Sequence, residues 1–419
     1  MDKMVVMGNG PLQGTVATSG AKNAALPLLF STLLAEGEHV FTNVPKLKDI
    51  ESTAALLESL GCTTRWDGDK FRVNVTRLQS YEASYDLVRK MRASFLCMGP
   101  LLAKYGEAVV SQPGGCAIGS RPIDLHLEGF KALGAEISQK EGYVQANAKK
   151  LKGSTFLFET VTVGGTENIM MAATLAEGRT ILENAAKEPE IVDLAEYLIK
   201  MGAKISGHGT SVITIDGVEK LKPAEHSIMP DRIEAGTLLI AGAITHGQVT
   251  VEKCVPAHLE ALISKMREAG FKIDTTKDTM TVYKTDAWDA VDITTAPHPM
   301  FPTDLQAQFM ALMTVARGTS VISETVFENR FMHVQELIRL GADIVPKTRV
   351  AVVHGRPGQL TGAPVMATDL RASASLVLAG LVAGGETVVN RIYHLDRGYE
   401  KLEDKLSALG AKIRRVTEE

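Results

Sequence analysis

Segments of small and apolar residues alternate along the chain with segments whose apolar positions recur every three or four residues, and short alternating runs follow each pair. Ala24 to Glu36, Ile169-Met170-Met171-Ala172-Ala173 and Ser373 to Ala383 are apolar most of the way round a helix, which predicts helices buried on most sides. Asp49 to Leu60 and Leu402 to Leu409 carry a single apolar stripe and predict helices that lie on a core. These amphipathic segments end at Gly61, Gly134, Gly202, Gly270, Gly341 and Gly410, the residue type suited to a left-handed C-terminal cap. A second glycine, at Gly37, Gly106, Gly178, Gly247, Gly318 and Gly385, closes each preceding small-residue helix, and a strand-like run such as Thr387-Val388-Val389 comes next. The marks recur at intervals of about 70 residues, predicting six copies of a unit that reads helix, strand, helix, strand, strand.

Six such copies exceed one ordinary domain, and three plus three is the natural division. The expected fold is α/β: two similar lobes, each of three repeats with buried helices and outer sheets, an inside-out α/β barrel. One lobe is expected over 22–229 and the other over 1–21 plus 230–419, with Lys220 to Pro230 as a crossing and a ligand site in the cleft between them. Composition narrows the function. The 419 residues are 45% hydrophobic and 22% charged with a formal net charge of -4, and no basic block is present, so nucleic acid is not an expected partner. Cys62, Cys97, Cys116 and Cys254 have no C-x-x-C spacing, which argues against a disulfide framework or zinc site and for a reducing cytoplasm. No leader-like start and no apolar run of about 18 residues is found, so a cytoplasmic protein without a membrane partner is expected.

The repeat is broken once. The two glycines of a unit stand about 23 to 25 residues apart except between Gly106 and Gly134, where the interval is about 28. The excess falls in Ser111 to Pro122, a Gly- and Pro-rich loop centred on Cys116, with Arg121 five residues on. A cysteine there has no helix or strand to bury it and reads as reactive, whereas Cys62, Cys97 and Cys254 lie in or beside periodic apolar segments and read as core. The first helices of the units begin with the other unusual residues, among them Lys22, Arg92, Arg232 and Arg371. Cations at the positive end of a helix are locally unfavourable, and an anionic ligand would reverse that sign. Asp231, with Glu234 three residues on, reads as an N-cap in a capping box, and Asp369 reads as a cap. Asp304 reads equally as a cap or as a catalytic carboxylate, and Arg397 equally as a surface or a functional arginine. His126, His298 and His394 read as structural.

A family resemblance then runs from end to end. It is carried by Ser19-Gly20-Ala21-Lys22-Asn23-Ala24, Met91-Arg92-Ala93-Ser94, the run from Pro113 to His126, Pro302-Thr303-Asp304-Leu305-Gln306-Ala307-Gln308, Glu328-Asn329-Arg330-Phe331, Asp369-Leu370-Arg371-Ala372-Ser373-Ala374 and Asp396-Arg397-Gly398-Tyr399. In these the chain resembles the UDP-N-acetylglucosamine 1-carboxyvinyltransferase family of enolpyruvyl transferases, which serves bacterial peptidoglycan synthesis. The resemblance implies phosphoenolpyruvate and UDP-N-acetylglucosamine as substrates, and no metal or organic cofactor. It implies Cys116 as the acid that protonates C3 of phosphoenolpyruvate and the target of fosfomycin-type epoxides, Asp304 as the base, and Lys22, Arg121 and Arg397 as holders of phosphate and carboxylate. It assigns the UDP-sugar to Asn23, Arg92, Arg121, Pro122, Ile123, Asp124, Leu125, Thr160, Val161, Thr162, Val163, Gly164, Asp304 and Val326, and it makes Asp369 and Arg371 polar groups of the site. Some relatives carry lysine where this chain has Thr160. The Cys116 loop is expected to act as a lid. Two other readings remain: the shikimate-pathway enolpyruvyl transferase, built on the same kind of fold, and a non-catalytic nucleotide-binding repeat scaffold.

Overall fold

The computed structural model describes residues 2–113 and 123–417. They divide into two compact units, one of residues 20–113 and 123–229, the other of residues 2–19 and 230–417. Each unit has its own hydrophobic core. Among the described residues each also has three four-stranded sheets.

The small-residue segments form helices buried on nearly every side. In the first unit these are Lys22–Ser31, Met98–Tyr105 and Val163–Ala173. In the second they are Arg232–Ile244, Gln306–Thr314 and Leu370–Gly380. From Ile233 to Ile244 every residue is buried. Each fully buried Leu, Ile, Phe or Met contributes about 1.5–3 kcal/mol relative to exposure, so these helices carry much of each core. The amphipathic segments form the second helix of each repeat, as in Pro189–Lys200, where Ile191, Leu194, Ala195 and Leu198 make the buried stripe.

All six helix-ending glycines lie at positive φ, and all six make the same two bonds. Gly61 donates to Glu58 O and Cys62 to Leu57 O; the pattern recurs at Gly134, Gly202, Gly270, Gly341 and Gly410. This is the Schellman cap, and the residue after each glycine and the one whose carbonyl it bonds are apolar and buried in each copy, from Cys62 and Leu57 to Ala411 and Leu406. Of the second glycines, Gly247 departs from the rest. His246 takes the left-handed φ of 56° instead, and Gly247 is required because an added Cβ would lie 2.1 Å from Leu12 O.

The repeat contains one element more than the periodicity predicts. A short strand precedes each buried helix and pairs parallel with the strand after it, while the other two strands of the sheet are antiparallel. At the crossings these strands are exchanged. Gln13–Ala17, just before Lys22–Ser31, pairs with Gln248–Glu252, and Glu225–Ser227, just before Arg232–Ile244, pairs with Gly37–Thr42. The sixth repeat is completed by the other end of the chain: Asp2–Met7 lies between Glu386–Asn390 and Lys412–Thr417, with Asp2 opposite Thr417.

Candidate active site

Several of the expected site residues, Lys22, Asn23, Thr160 to Gly164, Asp304 and Arg371, fall at or just before the N-terminal ends of buried helices. In the first unit, Lys22 opens its helix, and its Nζ lies 3.1 Å from Oδ2 of Asp49, a buried residue in the first turn of Lys48–Leu60. The unfavourable charge at a positive helix end is thus offset by a carboxylate of the protein itself. Gly20 explains part of the Ser19-Gly20-Ala21 motif, because a Cβ there would stand 1.7 Å from Asn43 O. Asn23 is exposed beside Lys22, and Arg92, half-buried, opens the 3-10 turn Arg92–Cys97. Ile123 and Leu125 are half-buried and Asp124 is exposed at the start of Asp124–Ala132.

Thr160 and Val163 are exposed, and Val161, Thr162 and Gly164 half-buried, on the approach to Val163–Ala173. Thr162 caps that helix by accepting from the Gly165 N–H at 3.2 Å. His126 is structural. Its Nδ1 meets Asn168 Nδ2 at 3.1 Å, and the same amide nitrogen donates to Phe95 O. Burial, and then Arg92, push the imidazole down to about 3, so it is neutral and accepts from Asn168. Cys116, Arg121 and Pro122 lie outside the described residues, as does the expected lid. Cys62, Cys97 and Cys254 are buried, and burial pushes their thiols up to about 12, 12 and 11, the setting of inert core cysteines.

In the second unit, Asp304 sits in the 3-10 turn Thr303–Leu305 ahead of Gln306–Thr314 and makes no side-chain cap bond there. Instead Arg330 Nη2 lies 2.8 Å from its Oδ1 and Arg371 Nη2 lies 3.1 Å from its Oδ2. The arginine side chains are only 4% and 5% exposed, whereas Asp304 is 28% exposed. A carboxylate gripped from inside by two cations and open on one side is poorly explained as a cap. Burial opposes the charge of Arg371, yet Asp304, and then Tyr399 and Asp231, hold the guanidinium above its ordinary range. Gln308 ties the cluster together by donating from Nε2 to Asp304 O at 2.9 Å and to the Tyr399 hydroxyl at 3.1 Å.

Val326 is exposed on a turn organised by the buried Glu324, which accepts from Thr295 Oγ1, Thr303 Oγ1 and the Val326 and Phe327 N–H groups. Arg397 is half-buried at the end of the 3-10 turn Ile392–Arg397, and the adjacent Asp396 is engaged by Arg415 at 2.6 and 3.0 Å. Asp369 and Asp231 are caps, each accepting two backbone N–H groups. The expected capping box does not form. The Asp231 N–H goes to Ser19 O, and Glu234 accepts from the Ser19 N–H at 2.6 Å and pairs with Lys405 Nζ at 2.7 Å. Glu234 is spent on the crossing of the chain. Arg330 is absent from the residues assigned a role from sequence, although its segment Glu328 to Phe331 is one that carries the resemblance.

A cavity of about 380 Å³ in the second unit, lined by Gly8, Ile244, His246, Val315 and Leu381 among others, lies at the opposite, C-terminal ends of the buried helices and holds none of these residues.

Similarity to known proteins places the chain among the carboxyvinyl transferases. The chain matches the family model of EPSP synthase (3-phosphoshikimate 1-carboxyvinyltransferase) over residues 6–406 and belongs to that family. Among its relatives, the UDP-N-acetylglucosamine 1-carboxyvinyltransferase of Bdellovibrio bacteriovorus is 85% identical over 413 residues, covering 99% of this chain and 100% of that one. The protein of the same name from Myxococcus xanthus is 60% identical over 418 residues, covering 99% of both. The crystal structure of the enolpyruvyl transferase NikO from Streptomyces tendae superposes with a TM-score of 0.89 at 24% identity, over 100% of this chain and 99% of that one. An EPSP synthase from Acinetobacter baumannii gives 0.76 at 17% identity, over 99% and 100%. The fold is the α/β fold of enolpyruvyl transferases. No helix among the described residues is long and apolar enough to cross a membrane.

Proposed function

We propose that this enzyme transfers the enolpyruvyl group of phosphoenolpyruvate to the 3-hydroxyl of UDP-N-acetylglucosamine and releases inorganic phosphate. The observation that carries the reading is the 85% identity, over the full length, to a relative of that name. In the reaction the sugar hydroxyl gives its proton to a base as its oxygen bonds to C2, while an acid adds a proton at C3. The C2–O bond to phosphate then breaks, a proton leaves C3, and the double bond re-forms. One acid and one base near the same carbon suffice.

Cys116 is our candidate for the acid and Asp304 for the base. Asp304 supports its role through geometry, since its arginines are buried and its carboxylate is partly open. Lys22, Arg121 and Arg397 are assigned to the phosphate and carboxylate of phosphoenolpyruvate, and three cations suit a trianion. The segments around Asn23, Arg92, Arg121 to Leu125, Thr160 to Gly164 and Val326 are assigned to the UDP-sugar, with Arg371 supporting Asp304. The place of action is the cytoplasm, where the product feeds peptidoglycan and hence cell shape and division.

Phosphate release, measured with UDP-N-acetylglucosamine or shikimate 3-phosphate as acceptor, tests the reading in wild type and Cys116→Ala. Release with the UDP-sugar alone, lost in the variant, is the expected result; release with shikimate 3-phosphate alone overturns the acceptor, and release with neither overturns the reading. Incubation with fosfomycin and UDP-sugar should add one covalent adduct, mapped to Cys116.

A further inference from the structure

Arg397 closes the 3-10 turn Ile392–Arg397, and the residues on either side of it are both held by distant parts of the second unit. On its C-terminal side, Gly398 lies so close to the first residue of Leu370–Gly380 that an added Cβ would stand 2.5 Å from Leu370 Cδ2. On its N-terminal side, Asp396 meets the guanidinium of Arg415, with Nη2 donating to Oδ1 at 2.6 Å and Nη1 to Oδ2 at 3.0 Å. Arg415 belongs to the last strand, Lys412–Thr417, where it stands opposite Met4. Its Nε donates to Glu403 Oε1 at 2.7 Å, and its Nη1 reaches Asp2 Oδ2 at 3.4 Å. One cation is surrounded by three carboxylates, and its contact with Asp396 is the one that takes both oxygens.

A single exposed ion pair fixes little, but a bidentate arginine–carboxylate pair within a network sets orientation as well as distance. Here the side chains are only 27% and 29% exposed, so the pair is partly shielded from water and salt. The turn it holds is short, and 3-10 hydrogen bonds have poorer geometry than those of an α-helix. It is closed by the N–H groups of Gly398 and Tyr399 on Leu395 O, both at 3.0 Å. Its place therefore depends on its outside anchors. On the reading that Arg397 holds phosphoenolpyruvate, we propose that Arg415 is a positioning residue: its fork on Asp396 sets where the backbone of the 392–398 turn lies, and so the point from which the Arg397 side chain reaches the substrate. The last strand of the chain then acts on phosphoenolpyruvate binding without touching the substrate. Misplacement of a positioned group by about 1 Å costs on the order of 10²-fold, which sets the scale of the effect.

The test uses the full chain with Arg415→Met, Arg415→Lys, Asp396→Asn and Glu403→Gln, and phosphate release as the assay. Arg415→Met is expected to lower kcat/KM for phosphoenolpyruvate by about 10- to 100-fold, mainly through KM, with KM for the acceptor within about twofold of wild type. Arg415→Lys keeps the charge without the fork and should fall between the two. Asp396→Asn should raise KM for phosphoenolpyruvate by about tenfold. Glu403→Gln removes another arm of the same arginine and should leave KM where it was. Amide exchange gives a readout that needs no substrate: Gly398 and Tyr399 should exchange faster in Arg415→Met and Asp396→Asn and at the wild-type rate in Glu403→Gln. An unchanged KM in folded Arg415→Met would overturn the proposal. So would Glu403→Gln matching Asp396→Asn, or both KM values rising together, since either marks a general loss of structure. If Arg415→Met fails to fold, Asp396→Asn against Glu403→Gln decides in the same way. Arg397→Met separates the underlying reading: if it leaves KM for phosphoenolpyruvate at the wild-type value, the assignment of Arg397 falls and the proposal with it, whereas a raised KM there beside an unchanged one in Arg415→Met strikes the anchor alone.

Discussion

Glu234 lies buried with Lys405 against it, and this makes the stability of its unit depend on pH in a calculable way. Burial raises its carboxyl, Lys405 lowers it, Asp231 raises it, and the outcome is a value of about 6 against 4.5 for an ordinary glutamate. The folded state thus binds the proton more tightly than the unfolded chain. Its contribution is fully present below about pH 4.5 and is lost as the pH rises through about 6. The gap corresponds to about 2 kcal/mol over the whole titration, of which about 1 kcal/mol falls between about pH 7.5 and pH 5. Glu234→Gln cannot titrate and is the reference. The chain has two tryptophans, one in each unit. Trp288 is buried in the unit of Glu234, where its Nε1 donates to Leu312 O at 3.2 Å, so a Trp66→Phe background reports on that unit alone. Urea unfolding followed by Trp288 fluorescence should show wild type gaining about 1 kcal/mol on Glu234→Gln between pH 7.5 and pH 5. Parallel pH curves for the two proteins, or a loss instead of a gain, would refute the reasoning.

The same reporter tests the packing of Gly247. Gly247→Ala should cost about 1–3 kcal/mol because its Cβ meets the Leu12 carbonyl, and Gly270→Ala, in open space at φ +109°, about 1 kcal/mol through its backbone alone. Asp231→Ala should lose about 1 kcal/mol by removing a cap that accepts from Ile233 and Glu234, while Asp231→Asn should stay within about 0.5 kcal/mol of wild type; equal losses would mean that charge, not capping, is the role. His126 should keep the NMR shifts of a neutral ring down to about pH 4, and its lowered value removes stability from the first unit as pH falls below about 6.5, opposite in sign to Glu234. A permutant joining residue 417 to residue 2, with new termini at the exposed turn around Gly68, should unfold as cooperatively as the parent, since Asp2 and Thr417 are already paired. Deletion of residues 1–8 should abolish that cooperativity, because Glu386–Asn390 and Lys412–Thr417 both lose their partner.

What was legible in the sequence is what a local rule writes there. A Schellman cap needs glycine at one position and apolar residues around it, so six caps left six marks, and the burial of a helix is visible in the absence of a polar face. The short parallel strands were not legible, since Ile293–Thr294 and Glu82–Ala83 are too brief for any period to show. Their exchange at the crossings and the closure of the sixth sheet by Asp2–Met7 were hidden for a different reason, as pairing between residues hundreds of positions apart leaves no local trace.

The site divides along the same line. Asp231 and Asp304 stand in similar positions ahead of buried helices, and both satisfy the composition of a cap. What separates them is the environment supplied by distant segments. Asp231 faces the free N–H groups of its own helix, so its partners were implicit in its position. Asp304 faces Arg330 and Arg371, 26 and 67 residues further on, and neither arginine has any periodic or capping signature. A buried arginine is costly unless it meets a carboxylate, and a carboxylate open on one side keeps room for a substrate. The arginines are therefore what separates Asp304 from Asp231, which the composition of a cap alone cannot do.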